Sequence, residues 1–264
     1  MLWWLVYPML GAVAGLLAGL LGVGGGLVLV AALVALLPLQ GVHPEQVMHA
    51  ALATSLASIV VTALSSARAH AQRGSVMWPS VARLVPGLLV GGAVGGQVAG
   101  LLSGDWLRWG VAVFCALAAT QLLFGQPRAA ADSHEPKSPW LLGAGGLIGA
   151  ISALVGIGGG SMTVPLLISL GASPVRAVGS SSACGVAIGL ASAVSYAWLH
   201  PPAGSMPDGS VGYVFLPAAL GIALASVLVA PLGARLAHAI GGPWLKRIFA
   251  FLLLAVALQL ALSG

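Results

Sequence analysis

The sequence predicts an all-α, polytopic membrane protein built from two inverted repeats. Only 6% of its 264 residues are charged and 59% are hydrophobic, whereas about a quarter of the residues of a soluble domain are charged. So few charges do not cover a water-exposed surface, but they suit a surface that contacts lipid. Six apolar stretches approach or exceed the ~20 residues that a helix needs to cross hydrocarbon: residues 46–67, 79–102, 106–124, 176–199, 211–237 and 244–262.

A repeated glycine motif divides the chain into halves. The motif reads LLGVGGG in the first half and LVGIGGG in the second. Three pairs of segments correspond between the halves: 20–26 with 154–160, 51–55 with 177–181, and 106–108 with 244–246. We therefore predict a first transmembrane repeat at 1–124, a polar cytoplasmic linker at 125–139 and a second transmembrane repeat at 140–264.

The basic residues indicate how the halves are oriented. Cytoplasmic loops of membrane proteins carry an excess of Lys and Arg. With the loop that holds Arg68 and Arg73 in the cytoplasm and three single crossings in each half, nine of the ten basic residues lie near the cytoplasmic face. Only Arg108 lies on the outer side. An odd number of crossings inverts the second half relative to the first and puts both chain ends outside, and inverted repeats are frequent in secondary transporters.

The glycine motif predicts a break in the first apolar run. An unbroken helix over residues 2–37 would be ~54 Å long, well beyond a ~30 Å hydrocarbon core. The break falls at residues 22–26, and its freed backbone groups must face protein or water. Each repeat then holds a glycine-broken element, either a re-entrant hairpin or a pair of crossings, followed by three transmembrane helices. A new helix begins after each break, at about Leu27 and about Ser161, and its N-terminus attracts anions.

Paired breaks in corresponding positions are the best sequence indication of a transporter's substrate site. The predicted substrate-binding residues are Gly22, Gly24, Gly25, Gly26, Thr54, Ser55, Gly156, Gly158, Gly159, Gly160, Ser161, Ser180 and Ser181. The alternative is that such glycines only let helices pack closely. We prefer that alternative for Gly91, Gly92, Gly95 and Gly96.

Composition and charge also predict which partners and cofactors the protein has. The expected partners are the lipid bilayer and a small anionic substrate, with a coupling ion and a homo-oligomer left open. Nucleic acid is excluded, because the basic residues are scattered and not gathered in a patch. No metal, cofactor or catalytic residue is predicted, and the protein is not expected to be an enzyme.

The repeated G-x-GGG elements, the Thr54-Ser55 and Ser180-Ser181 pairs and the segment GARLA at 233–237 resemble the TauE/SafE sulfite-exporter family, also called the 4-toluene sulfonate uptake permease group. The resemblance spans nearly the whole chain. It implies a bacterial inner-membrane transporter of sulfite, organosulfonates or related sulfur anions, a substrate class that composition alone does not supply. Family members often carry proline shortly after GGG; Pro165 matches this pattern, whereas the first half has Ala31.

Two other functions compete with secondary transport. An anion channel would use the same broken-helix pore. An intramembrane enzyme is less favoured, because the sequence holds no HExxH motif and no histidine near 180–182. No carboxylate lies deep in any predicted helix, so the coupling ion stays open. His70 is interpreted as a solvated loop histidine in preference to a proton-relay group, and His49 is the weaker candidate.

Overall fold

The computed structural model describes residues 3–21, 25–124, 140–237 and 242–262. Within these ranges the chain forms ten α-helices and one short strand pair. The helices of the first half are α1 Trp3–Leu21, α2 Gly26–Leu36, α3 Val47–Ala71, α4 Trp78–Leu101 and α5 Gly104–Phe124. Those of the second half are α6 Leu141–Val155, α7 Gly160–Ser169, α8 Pro174–Trp198, α9 Leu216–Ala237 and α10 Gly242–Leu262. Two 3₁₀ turns, Pro38–Gln40 and Pro44–Gln46, precede α3, and strands β1 Ser210–Val211 and β2 Val214–Phe215 precede α9.

The helices confirm the predicted class of polytopic membrane protein. Five segments of the described residues are long and apolar enough to cross a bilayer: Pro44–Ala71, Trp78–Leu101, Gly104–Phe124, Pro174–Trp198 and Leu216–Gly233. They match five of the six predicted stretches, and α10 lies on the sixth. The predicted linker at 125–139 lies outside the described residues, so the domain boundaries stay predictions.

One predicted helical segment is wrong. Residues 211–215 were expected to belong to the fifth apolar stretch, but they form the antiparallel pair β1–β2, in which Val211 faces Val214. Gly212 lies in the turn between the strands with a φ of 55°, a left-handed conformation that only glycine adopts at little cost. The helix α9 therefore begins only at Leu216.

Two helices at the centre of the bundle run antiparallel. Near one end of the contact, the backbone of Leu56 in α3 lies beside Gly189 of α8. Near the other end, the Oγ atoms of Ser66 and Ser182 are 3.1 Å apart. Residue numbers thus rise along α3 as they fall along α8. Since α3 is the first long helix after the break in one half and α8 holds the same place in the other, equivalent helices meet head to tail.

Glycines bring the outer helices close to one another. Gly87, Gly91 and Gly95 of α4 face the backbone of α6, and an added β-carbon at Gly91 would overlap the carbonyl oxygen of Gly146. An added β-carbon at Gly95 would lie 2.5 Å from the carbonyl oxygen of Ala150. These contacts confirm the packing interpretation, because small residues let membrane helices approach closely.

The other half repeats this packing. Gly11 and Gly15 of α1 face the backbone of Ile222 and Ser226 in α9. Helix α1 of the first half thus packs on α9 of the second, and α6 of the second packs on α4 of the first. Helices α5 and α10 also pack against each other. The contacts therefore fall into matched sets when the halves are exchanged.

Each glycine-broken element folds as a hairpin. Gly25, just before α2, lies against the backbone of Ala14 in α1. Gly159, just before α7, lies near Ile148 and Ser152 of α6. Helix α2 has 11 residues and α7 has 10, so each rises only ~15 Å, about half the thickness of the hydrocarbon core. The chain thus doubles back at each break, and the short helices then pack mainly on the long helix that follows, α2 on α3 and α7 on α8.

The packing predicts a contrast between two helical glycines. Gly91→Ala should destabilise the protein by about 1–3 kcal/mol, because its β-carbon meets backbone that cannot move aside. Gly110→Ala in α5 is the matched control, since no atom lies within 4 Å of the position its β-carbon would take. Thermal unfolding of both variants in detergent checks this, and equal melting temperatures would contradict the packing.

Candidate functional site

Left-handed glycines shape both breaks. Gly25 precedes α2 with φ 55° and ψ −1°, and Gly159 precedes α7 with φ 74° and ψ −6°. Gly156 ends α6 with φ 76°. A side chain at these angles would cost about 1–2 kcal/mol. The glycines therefore let the chain leave one helix and start the next within a few residues.

The two breaks touch each other between α3 and α8. An added β-carbon at Gly26 would lie 2.5 Å from the carbonyl oxygen of Gly156 and 3.3 Å from the Cα of Ile157. The Oγ atom of Ser55 lies 3.1 Å from the carbonyl oxygen of Gly26 and 3.2 Å from that of Gly156. The single hydroxyl of Ser55 is thus shared between a carbonyl of each half.

The helices that start after the two breaks have N–H groups without an intrahelical acceptor. In α2 the amide of Leu29 donates to the carbonyl of Gly25, and the amides that precede it have no acceptor within the helix. In α7 the amides of Met162 and Thr163 donate to the carbonyl of Gly159, which leaves the first two amides of that helix. Each start carries the positive end of a helix dipole.

Buried hydroxyls surround the second break. The hydroxyl oxygens of Ser152, Ser161, Thr163 and Ser181 are buried and have no hydrogen-bond partner among the described residues. The matched positions in the first half, 134 residues earlier, are Ala18 for Ser152, Leu27 for Ser161 and Leu29 for Thr163. Unsatisfied buried polar groups are costly and require an explanation. The second hairpin is therefore the more polar of the two.

Thr54 and Ser180 have a structural role. The Oγ1 atom of Thr54 accepts a hydrogen bond from the amide of Phe215 at 3.1 Å. The Oγ atom of Ser180 accepts one from the amide of Met77 at 2.8 Å. Both amides immediately precede a helix, α9 and α4 respectively, so the two hydroxyls hold equivalent helix starts. Their predicted contact with substrate stays a prediction.

The structure describes eleven of the thirteen predicted substrate-binding residues. The structure brings together Gly25, Gly26, Ser55 and the second glycine cluster, which holds Gly156, Gly158, Gly159 and Gly160. Ser181 and Gly158 share a cavity of about 10 Å³ with Ile59 and Ala63 of α3, space for about one water. Gly22 and Gly24 lie outside the described residues.

Three residues near the breaks were not predicted from the sequence. The side chain of Ile59 lies between the two breaks, because its Cδ1 faces Gly26 and its Cγ2 faces Gly158. An apolar residue in an apolar helix gives no sequence signal for this. Ser152 and Thr163 were within reach of prediction, since they are hydroxyl residues just before and just after the second glycine cluster. His70, expected in a solvated loop, is instead buried in the last turn of α3.

A wide cleft opens on one side of the paired breaks. Its volume is about 860 Å³, and its walls come from the C-terminal end of α2, the start of α3, the start of α5 and the late part of α10. Arg108 lines it and pairs with Asp105 at 3.2 Å. Gln259 of α10, also on the wall, donates to the carbonyl oxygen of Ala31 in α2 at 2.9 Å. Helix α2 thus connects the cleft wall to the first break.

The opposite side of the breaks is closed among the described residues. Gly185 of α8 packs against Gly158 and Ala63, and the hydroxyls of Ser66 and Ser182 meet beyond them. The described residues hold no group of three or more His, Cys, Asp or Glu side chains placed to bind a metal ion. What the breaks offer is a set of N–H and O–H donors, which is the chemistry that binds an anion.

Comparison with known proteins places the chain among membrane transporters. It is 36% identical over 260 residues to a protein of Haemophilus influenzae named "Probable membrane transporter protein", covering 97% of both chains. A protein of the same name from Xylella fastidiosa is 33% identical over 195 residues, 71% of both chains. No solved structure matches. The model of the family "Sulfite exporter TauE/SafE" matches residues 7–260, and the chain belongs to this family of membrane transporters.

Proposed function

We propose that the protein is a secondary transporter that carries small sulfur-containing anions, sulfite or organosulfonates, across the bacterial inner membrane. The observation that carries the proposal is the contact between the two glycine breaks, with Gly26 against Gly156. There the N-terminus of α2 lies against the residue that ends α6, and four residues later the chain begins α7 with a second helix N-terminus. Such ends favour a negative charge, and the family name supplies sulfite as the type of anion.

The binding site lies mainly on the second hairpin. Ser55 already donates its hydroxyl to carbonyls at the breaks, whereas Ser181 is 1% exposed and has no partner among the described residues. An anion at the start of α7 would accept hydrogen bonds from Ser181 and from the first amides of that helix. A sulfur oxyanion has several acceptor oxygens, so it uses several donors at once.

Transport proceeds by alternating access around this fixed site. Support comes from the antiparallel packing of α3 on α8, the head-to-tail contact that inverted repeats produce. In such transporters one part rocks against the other about a central site. The wide cleft on one side and the close packing of Gly185 on Gly158 on the other fit a state that is open to one side only. The basic residues predict that this side is the outer one.

Flux into vesicles made from purified protein tests the proposal. The panel consists of sulfite, thiosulfate, sulfoacetate and taurine, with acetate and chloride as anions without sulfur. We expect saturable flux of at least one sulfur anion, together with counterflow of labelled substrate against unlabelled substrate. Flux without counterflow would indicate a channel, and absence of flux for the whole panel would contradict the proposed substrate class.

Substitution of the left-handed glycines tests the paired breaks. Gly25→Ala and Gly159→Ala should each lower the transport rate roughly five- to thirtyfold, because about 1–2 kcal/mol of backbone strain displaces the helix start. Gly74→Ala is the matched control, since Gly74 has a φ of 66° but no atom within 4 Å of an added β-carbon. All three variants carry the same backbone strain. Transport rates are compared at equal abundance of each variant in the membrane. Equal rates in the three variants would contradict the hypothesis that the breaks form the substrate site.

Substitution of two adjacent serines distinguishes an effect on substrate affinity from an effect on stability. Ser181→Ala should weaken substrate affinity about ten- to a hundredfold, the loss of one hydrogen bond to a charged ligand. Ser180→Ala should instead lower the free energy of unfolding by about 1 kcal/mol, because the amide of Met77 loses its acceptor. Substrate affinity and thermal unfolding are measured for both variants. Unchanged affinity in Ser181→Ala would place the anion elsewhere.

A further inference from the structure

The ring of His49 lies in the wall of the outer cleft and is held at one nitrogen only. His49 is 4% exposed, and its Nε2 lies 3.1 Å from the carbonyl oxygen of Ala99 and 3.0 Å from that of Leu102. Carbonyl oxygens only accept hydrogen bonds, so Nε2 carries the proton in this arrangement. Nδ1 is then left with a free lone pair, and it has no partner among the described residues.

Burial of the ring disfavours a positive charge on it, and two features of its surroundings act against that penalty. Ala99 and Leu102 lie at the C-terminal end of α4, which carries the negative end of the helix dipole. The face of the ring stacks on Tyr213, with centroids 5.0 Å apart and planes at 28°, and an aromatic face attracts a cation. Tyr213 is itself fixed, because its hydroxyl donates to Gln46 Oε1 at 2.9 Å.

Other titratable groups share the cleft. The cleft is lined by five further titratable or charged side chains: Glu45, Asp105, Arg108, His200 and Tyr213. Asp105 is paired with Arg108, and Glu45 and His200 are exposed residues in contact with water. Burial raises the pKa of the Tyr213 hydroxyl, so this group stays neutral. His49 is thus the buried histidine of the cleft, and its Nδ1 and the Nε of half-buried Arg108 are nitrogens there that have no partner among the described residues.

We propose that His49 is a proton-binding site that couples proton entry to anion transport, an inference that rests on the proposed function. A proton taken up through the cleft binds the Nδ1 lone pair, which is buried in this structure, and gives an imidazolium, while Nε2 keeps its two carbonyl acceptors. His49 lies six residues before Ser55 on α3, a rise of ~9 Å. A positive ring at this distance from the paired breaks attracts the anion bound there.

The placement of His49 gives this coupling a direction. The matched position in the second half, 126 residues later, is Val175. The start of α8 therefore has no titratable side chain at the position that corresponds to His49. A proton therefore binds from the side on which the cleft opens. Across ~10 Å at an intermediate effective dielectric, the attraction strengthens anion binding on the order of tenfold.

The test separates driven accumulation from exchange. Purified protein in vesicles is given thiosulfate or sulfoacetate, whichever the wild type carries, because neither changes its charge between mildly acidic and mildly alkaline pH. One assay measures accumulation under an inward proton gradient, and the other measures exchange of labelled against unlabelled substrate at equal pH. In the wild type we expect the gradient to drive accumulation and acid on the cleft side to tighten substrate affinity on the order of tenfold.

The variant His49→Gln keeps an amide N–H that reaches the two carbonyls but binds no proton. It should retain exchange and lose both the driven accumulation and the effect of acid. His200→Gln is the matched control, the same substitution at an exposed histidine of the same cleft, and it should behave as the wild type.

Three results would overturn the proposal. The first is accumulation in His49→Gln that the proton gradient still drives. The second is a wild type that exchanges substrate but shows no accumulation under the gradient. The third is loss of exchange in His49→Gln, which would indicate that the ring only holds the end of α4 in place. A wild type that neither exchanges nor accumulates any sulfur anion contradicts the proposed function instead, so the two failures are distinguishable.

Discussion

The structure depends on how the backbone groups at a helix break inside the bilayer are hydrogen-bonded. A helix that stops inside a bilayer leaves backbone N–H and C=O groups that lipid cannot satisfy. Here the two breaks are set against each other, so that carbonyls of Gly26 and Gly156 share the hydroxyl of Ser55 and protein surrounds both. One hydroxyl thereby serves one carbonyl at each break from within the bundle. The amides at the starts of α2 and α7 remain, and these are the groups on which an anion can be held. The same constraint that forces the breaks together thus creates the donor set.

Close helix packing makes this arrangement possible. Two hairpins fit at the centre of the bundle because the long helices around them approach to backbone contact. Gly87, Gly91 and Gly95 admit α6 against α4, and Gly11 and Gly15 admit α1 against α9. In lipid there is little hydrophobic gain from bringing apolar helices together, so packing and interhelical hydrogen bonds must hold them. The hydroxyl pair Thr62–Ser226 between α3 and α9 and the bond from Ser195 to the carbonyl of Ala93 between α8 and α4 do so at equivalent interfaces. The long helices thus form a closely packed frame around the two short helices α2 and α7.

Much of the fold was predictable because a helix that crosses the bilayer must be apolar over a length of ~20 residues. The length and polarity of residues 79–102 and 106–124 fix two helices almost to the residue, and the repeated GGG motif locates both hairpins. The strand pair before α9 was missed, because an apolar run such as 211–215 is consistent with either structure until the turn at Gly212 is seen. The site was predictable in part: the glycine clusters are local signals, whereas the position of Ile59 between the breaks depends on how two halves meet. Thr54 and Ser180 show the same limit, since the amides that they hold lie more than a hundred residues away in sequence.

The departures from symmetry carry the most functional information. A perfectly repeated site would bind equally well from both halves and would have no means of sensing one side of the membrane. The second hairpin instead carries Ser161 and Thr163 where the first carries Leu27 and Leu29, so buried hydroxyls are concentrated on one short helix, whereas the matched positions of the other are apolar. The start of α3 carries His49 where the start of α8 carries Val175. Each difference removes a polar group from one half without altering the backbone contacts that the repeat supplies. The antiparallel packing of α3 on α8 therefore relates the two halves, and the substitutions within that frame are what make the halves chemically different.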